Sequence, residues 1–503
     1  MTGLISGMDT ESMVKELVKA NSAKVDKVKQ DKQKLEWKKE AWQDLNTQMY
    51  DFFRTELSAM KTNGTFRGKS ASVNDSTKVS VSASSNAANG THTVSVKQLA
   101  SSAYLTGTEL KDGDNVRAGN TKLTDMGIAA GTTISVRGQD FVVDDETTLS
   151  SLASGLSKLG VNANYDANRG RFYINATGTG SDKDFDLTIK SGTEDALELL
   201  GLDKEKGATK VDAQNAIIEY NGVEYDGSSN TFEINGLSIT AKAVTGKYDK
   251  ETKTFTDDTP LQIEVNADTD SMYKSVKNFV NKYNELIEKM NKYYNETNEG
   301  YDPLTDDERN ALSDDQIEKW EEKAKVGLLR RDSTIGNLLS SMRSILNKGV
   351  EVTDKDGNTK TVTLSSLGIV TGDYSEKGKL HILGDEDDPL YSAQENKLKA
   401  ALSSDAEVFA QALAGTKEKP GLAFQVYDRL NQAMKKTTTS SSLTFYNDIS
   451  LKEEIEDKDE ELDKWAEKLQ KMEDKYYKQF GAMETAMAKL QEQQSYISQL
   501  MGM

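Results

Sequence analysis

The longest regular hydrophobic pattern in the chain lies near its C-terminal end. Steps of three and four from Ile455 pass through Leu462, Trp465, Leu469, Met472, Tyr476, Met483, Ala486, Leu490, Ile497 and Leu500, with polar residues only at Lys458, Gln479 and Gln493. A stripe of period 3.5 is the seam of a coiled coil. A weaker copy opens the chain. Val14, Val18, Asn21, Val25, Val28, Lys32, Leu35, Lys39 and Trp42 keep the same spacing, after which the stripe slips to Leu45, Met49 and Phe52. The pattern predicts a long helix at each end, the first running to about Lys61 with a register change near residue 42. Two long helices at opposite chain ends most simply pair antiparallel, each covering the other's stripe. The alternative is two separate surface helices on a globular core.

Between them the texture changes. From about Val73 the residues alternate with period two, the mark of half-buried strands. VSVSASSNAANGTHTVSV turns at Asn89-Gly90 and reads as a hairpin. TISVRGQDFVV, ANYDANRGRFYINATG, DFDLTIKSG, NTFEINGLSITAKAV and LQIEVNA continue the β pattern, interrupted by one helix at about 149–159. Helical periodicity returns at Ser271. Capping boxes follow at Thr305/Glu308 and Ser313/Gln316, then helices at about 333–347, 393–402, 405–414 and 423–436. A hairpin turning at Asp356-Gly357 and a strand near His381–Leu383 interrupt the bundle, and TTTSSS, 437–442, reads as a linker. The predicted class is multidomain α+β. Residues 1–42 with 450–503 form a terminal coiled coil, and 43–72 with 269–449 a helical bundle with a β-hairpin. Residues 73–105 with 210–268 form a β-rich domain, and 106–209 a second, inserted one, the β-rich domains lying at the far end.

Composition narrows the function. The 63 basic and 82 acidic residues leave a net charge of −19, the wrong sign for a main partner made of nucleic acid. There are no cysteines and only two histidines, His92 and His381, which excludes disulfides, thiolate nucleophiles and His-rich metal sites. No apolar run is long enough to span a bilayer, and the first twenty residues lack the apolar core of a secretory signal, so a protein of this sequence, if exported, is expected to leave by a route without a cleavable signal.

The candidate chemistry is thin. DKDGN, 354–358, carries calcium-type ligands, but its glycine stands fourth and Ser365 holds the place of the bidentate Glu, so it reads as a hairpin turn. DEDD, 385–388, reads as a solvated acidic loop, and TGTGSD, 177–182, as a turn, because no helix follows its glycines. There is no Gly-x-Ser-x-Gly elbow and no His-Glu-x-x-His motif. No catalytic, cofactor or metal residue is assigned. Trp37 and Trp42, with Trp465 opposite, either close the terminal seam internally or face another subunit.

Several stretches together resemble the flagellar hook-associated protein 2 family of filament caps. They are GLISGMDTESMVKELV at 3–18, VSVKQLASS at 94–102, the long YDPLTDDERNALSDDQIEKWEEKAKVGLLRRDSTIGNLLSSMRSIL at 301–346, LSSLGIVTGDYSEKGKLHI at 364–382, and YYKQFGAMETAMAKLQEQQSYISQLM at 476–501. Residues 105–210 match weakly. The resemblance implies a structural, non-enzymatic role: an oligomeric ring, often a pentamer, at the distal tip of the flagellum that promotes folding and polymerisation of flagellin. It implies export through the flagellar type III apparatus, a cytoplasmic export chaperone near the C-terminal helix, and hook-filament junction proteins as neighbours. On that reading Val14, Val18, Val25, Val28, Leu35, Trp42, Leu462, Trp465 and Leu469 are candidates for the oligomer and filament interface. Met483, Leu490, Ile497 and Leu500 are candidates for a seam shared by assembly and chaperone. The competing readings are another axial flagellar component, a surface adhesin binding mucin or glycan through the β-rich domains, and a glycosidase within 70–268.

Overall fold

The computed structural model describes residues 9–502, apart from the side chains of residues 20, 21 and 498–501. The signature stretch at 3–8 and the side chains of Asn21 and Leu500 therefore lie outside the described residues. The chain divides into two compact units, Met1–Arg67 with Thr269–Met503, and Gly68–Asp268.

The first unit is helical. Helix α1, Thr10–Phe52, starts where the Asp9 carboxylate accepts the Ser12 N–H, capping an amide that has no partner within the helix. It does not stop at Phe52. One π-turn, Phe53–Leu57, carries it into a last α-turn, Ser58–Met60. The added residue lets two adjacent aromatics pack in different directions. Phe52 stacks on Phe279 with centroids 5.7 Å apart, and Phe53 stacks on Tyr427 at 4.3 Å. The hydrophobic period therefore slips here as well as at residue 42, and the cause is a change of partner. Numbering only the helices used below, α2 is Thr269–Asn295, α3 Asp306–Asn310, α4 Asp314–Ala324, α5 Ser333–Leu346, α6 Lys397–Ser404, α7 Ala406–Leu413, α8 Leu422–Ala433 and α9 Asp448–Met501. Both capping boxes form as their sequences predict. The core gathers Met272, Val276, Phe279, Tyr283, Leu286 and Met290 from α2 against Leu45, Met49 and Leu57 from the α1 segment and Ile335, Leu338 and Met342 from α5.

The predicted linker at 437–442 is tied down at its far end. Phe445 and Tyr446 are buried, the Asn46 side chain accepts the Phe445 N–H at 2.8 Å, and Leu443 is held in the left-handed region at φ 65°. The DEDD stretch is not a free acidic loop. Asp385 pairs with Lys277, and Asp388 accepts from His381 Nδ1 at 2.6 Å, while Glu376 lies 3.1 Å from the other ring nitrogen. DKDGN is the turn between strands Val350–Thr353 and Thr359–Val362, with Asp354 accepting the N–H groups of Asp356 and Asn358.

The second unit is antiparallel β-sheet around two cores. A five-stranded sheet runs in the order Lys69–Val73, Leu261–Ala267, Gly90–Gln98, Ala216–Tyr220, Val223–Gly227. A three-stranded sheet runs Thr231–Ile234, Leu237–Ala241, Val79–Ala83, and the two share one core. Two sequence readings change here. The strand Lys69–Val73 begins inside the stretch 43–72 assigned to the helical bundle, because its alternation of small residues is a weak hydrophobic signal. Val79–Ala83 and Gly90–Gln98 do not form a hairpin about Asn89-Gly90. The first pairs with Leu237–Ala241 and the second lies between two other strands. Two-residue hairpins turn instead at Arg137-Gly138, Asn221-Gly222 and Asn235-Gly236, where both residues have positive φ, the geometry that matches strand twist. The second core is built within 103–213 from Leu123, Ile134, Leu152, Leu156, Phe172 and Ile174 among others, and the predicted helix at 149–159 appears as Leu149–Ser157.

Burial raises several phenols of the first unit, Tyr283, Tyr391 and Tyr446 among them, and Tyr293 is one whose hydroxyl also donates to a carboxylate. Burial, with help from the hydrogen bond to Asp44, pushes the Tyr293 phenol up to about 12. The neutral phenol is thus favoured in the folded state. Its contribution is complete below the ordinary value of about 10 and is lost as pH rises from there toward 12. Alkaline unfolding should begin above pH 10, and Tyr293→Phe should flatten that loss. Denaturant midpoints measured from pH 8 to 12 check it; an unchanged slope in the variant refutes the assignment.

Candidate assembly interface

The terminal helices pair antiparallel along one side of the first unit. Trp42 stacks almost parallel on Tyr446, with centroids 5.2 Å apart and planes 6° from parallel. Farther along, Lys32 pairs with Asp459 at 2.6 Å, and the Lys24 ammonium lies 5.6 Å from the Trp465 ring. This progression carries the start of α1 to the neighbourhood of Phe480. Beyond that point α9 continues to Met501, roughly 30 Å of helix at 1.5 Å per residue.

The candidate residues divide accordingly. Val14, Val28 and Trp42 are buried, while Val18, Val25 and Leu35 are half-buried, as are Leu462, Trp465 and Leu469 opposite. The polar seam members are not wasted. Lys32 is in contact with Asp459 and Glu36, and the surrounding carboxylates raise its ammonium above the usual lysine range, the hydrogen bond to Asp459 most of all. Trp37 closes against its own chain, buried beneath the Lys325 ammonium at 5.2 Å. Within one chain Trp37 and Trp42 are therefore covered internally.

The C-terminal candidates behave differently. Met483 is half-buried, but Leu490 is 63% exposed and Ile497 53%. Within a single chain they do not bury against Val14, Val18, Val25 and Val28, which on the antiparallel progression lie opposite residues about 461–475. After Met483 the half-buried positions are Met487 and Ala488, not Ala486 and Leu490. A straight helix turns 3.6 residues per revolution, so a 3.5-residue stripe drifts about 20° per heptad unless a partner under-winds it. Drift alone does not account for Leu490 and Ile497, because every residue from 489 to 497 is exposed whichever face it lies on.

Sequence reasoning missed a third element along α1. Residues 301–326 lie against it through Asp302, Asp306 and Asp307, paired with Lys34, Lys29 and Lys19. The only prior signal was the excess of lysine on α1 and of aspartate in DDERNALSDD.

A family model described as the flagellar hook-associated protein 2 C-terminus matches residues 213–492, and one described as its N-terminus matches 6–103. The chain belongs to the flagellar hook-associated protein 2 family. The gap between the two matches is the stretch that builds its own core from Ala103 to Ala213. Among relatives, flagellar hook-associated protein 2 of Halalkalibacterium halodurans is 25% identical, covering 99% of this chain and 98% of that protein. Its Escherichia coli K12 counterpart is 24% identical over 99% and 97%, and the B-type protein of Pseudomonas aeruginosa 26% over 88% and 85%. The fold resembles the solved D1-D2-D3 domains of the Escherichia coli flagellar cap protein FliD, with a TM-score of 0.56 at 21% identity, over 83% of this chain and 99% of that one. Of the readings weighed from sequence, these comparisons support the flagellar filament cap. Among the described residues no helix is long and apolar enough to cross a membrane.

Proposed function

We propose that this flagellar cap protein works outside the cell at the filament tip as a homo-oligomeric ring, a pentamer on the reading of the sequence. There it promotes folding and insertion of flagellin, with hook-filament junction proteins as its first neighbours during assembly. The role is structural. The reading is supported by the family matches at both ends of the chain, and one observation carries the assembly mechanism: Leu490 and Ile497 of α9 stand in water. An exposed apolar stripe on a long helix is what a neighbouring subunit would cover. We assign Val14, Val18, Val25, Val28, Leu35, Trp42, Leu462, Trp465 and Leu469 to the paired part of this interface. Met483, Leu490, Ile497 and Leu500 form the part completed on assembly. Before export the same stripe lies against the cytoplasmic chaperone, so the two partners exclude one another. The domains are 1–42 with 450–503, 43–72 with 269–449, 73–105 with 210–268, and 106–209, except that Lys69–Ser72 go with the β-rich domain into whose sheet they pair.

Particle images of the purified protein test it. Closed rings with radiating legs are expected; a strictly monomeric protein at every concentration, or open filaments, would count against a cap.

A further inference from the structure

Asn89-Gly90 reads as a hairpin turn, but the strands on either side of it pair elsewhere. Gly90 opens the strand Gly90–Gln98, and residues 84–89 before it belong to no strand or helix. Asn89 and Gly90 are both exposed. Gly90 has φ 140°, and a Cβ there would meet nothing within 4 Å, so the space beside its backbone is open. From the edge strand Lys69–Val73 of the same sheet, the Lys69 ammonium donates to Asn89 Oδ1 at 2.6 Å. The chain has three other Asn-Gly pairs, and each is held. Asn221-Gly222 and Asn235-Gly236 are turns clamped by paired strands on both sides. Asn221 is pinned at its amide as well: Oδ1 accepts the Thr93 N–H at 2.9 Å, and Nδ2 lies 3.1 Å from His92 Nδ1. Asn63 donates Nδ2 to the Gly415 carbonyl at 3.2 Å, and its Oδ1 is buried.

We propose that Asn89-Gly90 is a self-modification site, where the amide converts to a carboxylate without an enzyme. The Gly90 backbone nitrogen loses its proton and attacks Asn89 Cγ. A side chain on the attacking residue would crowd that approach, and glycine has none. Negative charge develops on Oδ1, where the Lys69 ammonium already donates. The Cγ–Nδ2 bond then breaks, and the nitrogen leaves as ammonia with a proton from solvent. The product is a five-membered succinimide. Water opens it at either carbonyl. Breaking the bond from Cγ to the Gly90 nitrogen leaves an aspartate in a normal backbone. Breaking the bond from the Asn89 carbonyl carbon to that nitrogen leaves an isoaspartate. In sum, amide and water give carboxylate and ammonium, with no oxidation. Ring closure needs Asn89 to rotate about its own backbone, which the irregular stretch 84–89 permits and a clamped two-residue turn resists. The new carboxylate adds one negative charge and meets Lys69, so a neutral contact between two strands of the sheet becomes an ion pair. The isoaspartyl product instead lengthens the backbone by one carbon at the entry to Gly90–Gln98.

Storage of the full-length protein in neutral buffer tests this, with anion-exchange separation and peptide mapping by mass spectrometry at intervals. A more acidic species should accumulate, modified at Asn89, and an isoaspartyl methyltransferase should label that peptide. In denaturant the four Asn-Gly pairs should react at similar rates, because the selectivity comes from the fold. Lys69→Met should slow the reaction of the folded protein roughly threefold to tenfold, less than the ~10²–10³ lost with an enclosed oxyanion donor, because this donor is open to water. Lys69→Arg should restore the rate. Unreacted Asn221 and Asn235 in the same map show that the sheet of each variant is intact. Asn89 still an amide after the denatured chain has reacted throughout overturns the proposal. So does reaction at Asn63, Asn221 or Asn235 ahead of Asn89, or a Lys69→Met protein that reacts as fast as the parent or faster.

Discussion

The double substitution Leu490→Asp and Ile497→Asp is expected to leave the monomer as stable as the parent and to abolish ring assembly. Both side chains are more than half exposed in the isolated chain, so no core is disturbed. Replacing them on an open helix surface should cost no more than about 0.5 kcal/mol each. Assembly is another matter. Covering a Leu or Ile stabilises by about 1.5–3 kcal/mol, so losing two should weaken each contact by about 3–6 kcal/mol, a factor of roughly 10² to 10⁴, before any penalty for burying carboxylates. Sedimentation across a concentration series reads the assembly, and thermal unfolding reads the monomer. Pull-down with the chaperone separates two versions of the idea. If ring and chaperone use one face, both interactions disappear together. Loss of one alone means they use different faces, and retention of both means the seam is misplaced.

Much of this architecture was legible because it is written in period. The alternation at 161–176 and 231–241 returned paired strands, and the 3.6-residue stripe from Met272 to Met290 returned α2. Three features were not. The pairing partner of Val79–Ala83 is about 150 residues distant, and no local turn signal encodes it. The π-turn at 53–57 shows in the sequence only as two adjacent inward aromatics, which a helix of ordinary pitch would split between faces. The exposure of Leu490 and Ile497 depends on where the opposing helix begins. Hydropathy states that a stripe exists but not how far its partner reaches.

Trp42→Ala should be the most destabilising single change in the terminal pair, by about 3–5 kcal/mol. The indole is 2% exposed and lies flat on Tyr446. Four residues on, Asn46 accepts the Phe445 N–H. Together these groups fix the point at which α9 leaves the bundle. The pair has little else to hold it there. From Val18 to Leu35 and from Leu462 to Leu469 the facing residues are mostly half-buried, and several contacts are exposed ion pairs worth under about 1 kcal/mol each. Deleting Trp42 should therefore release the start of α9 before the rest of the unit unfolds. Hydrogen exchange over 446–470 should accelerate strongly, and the denaturant midpoint of the helical unit should fall. The β-rich unit, Gly68–Asp268, should keep its own protection. Trp42→Phe, which retains a ring against Tyr446, should recover much of the loss. A Trp42→Ala protein with exchange at 446–470 unchanged would show that α9 is anchored elsewhere. The free end of α9 serves assembly only if the other end is fixed, so this variant should also fail to form rings, with Leu490 and Ile497 intact.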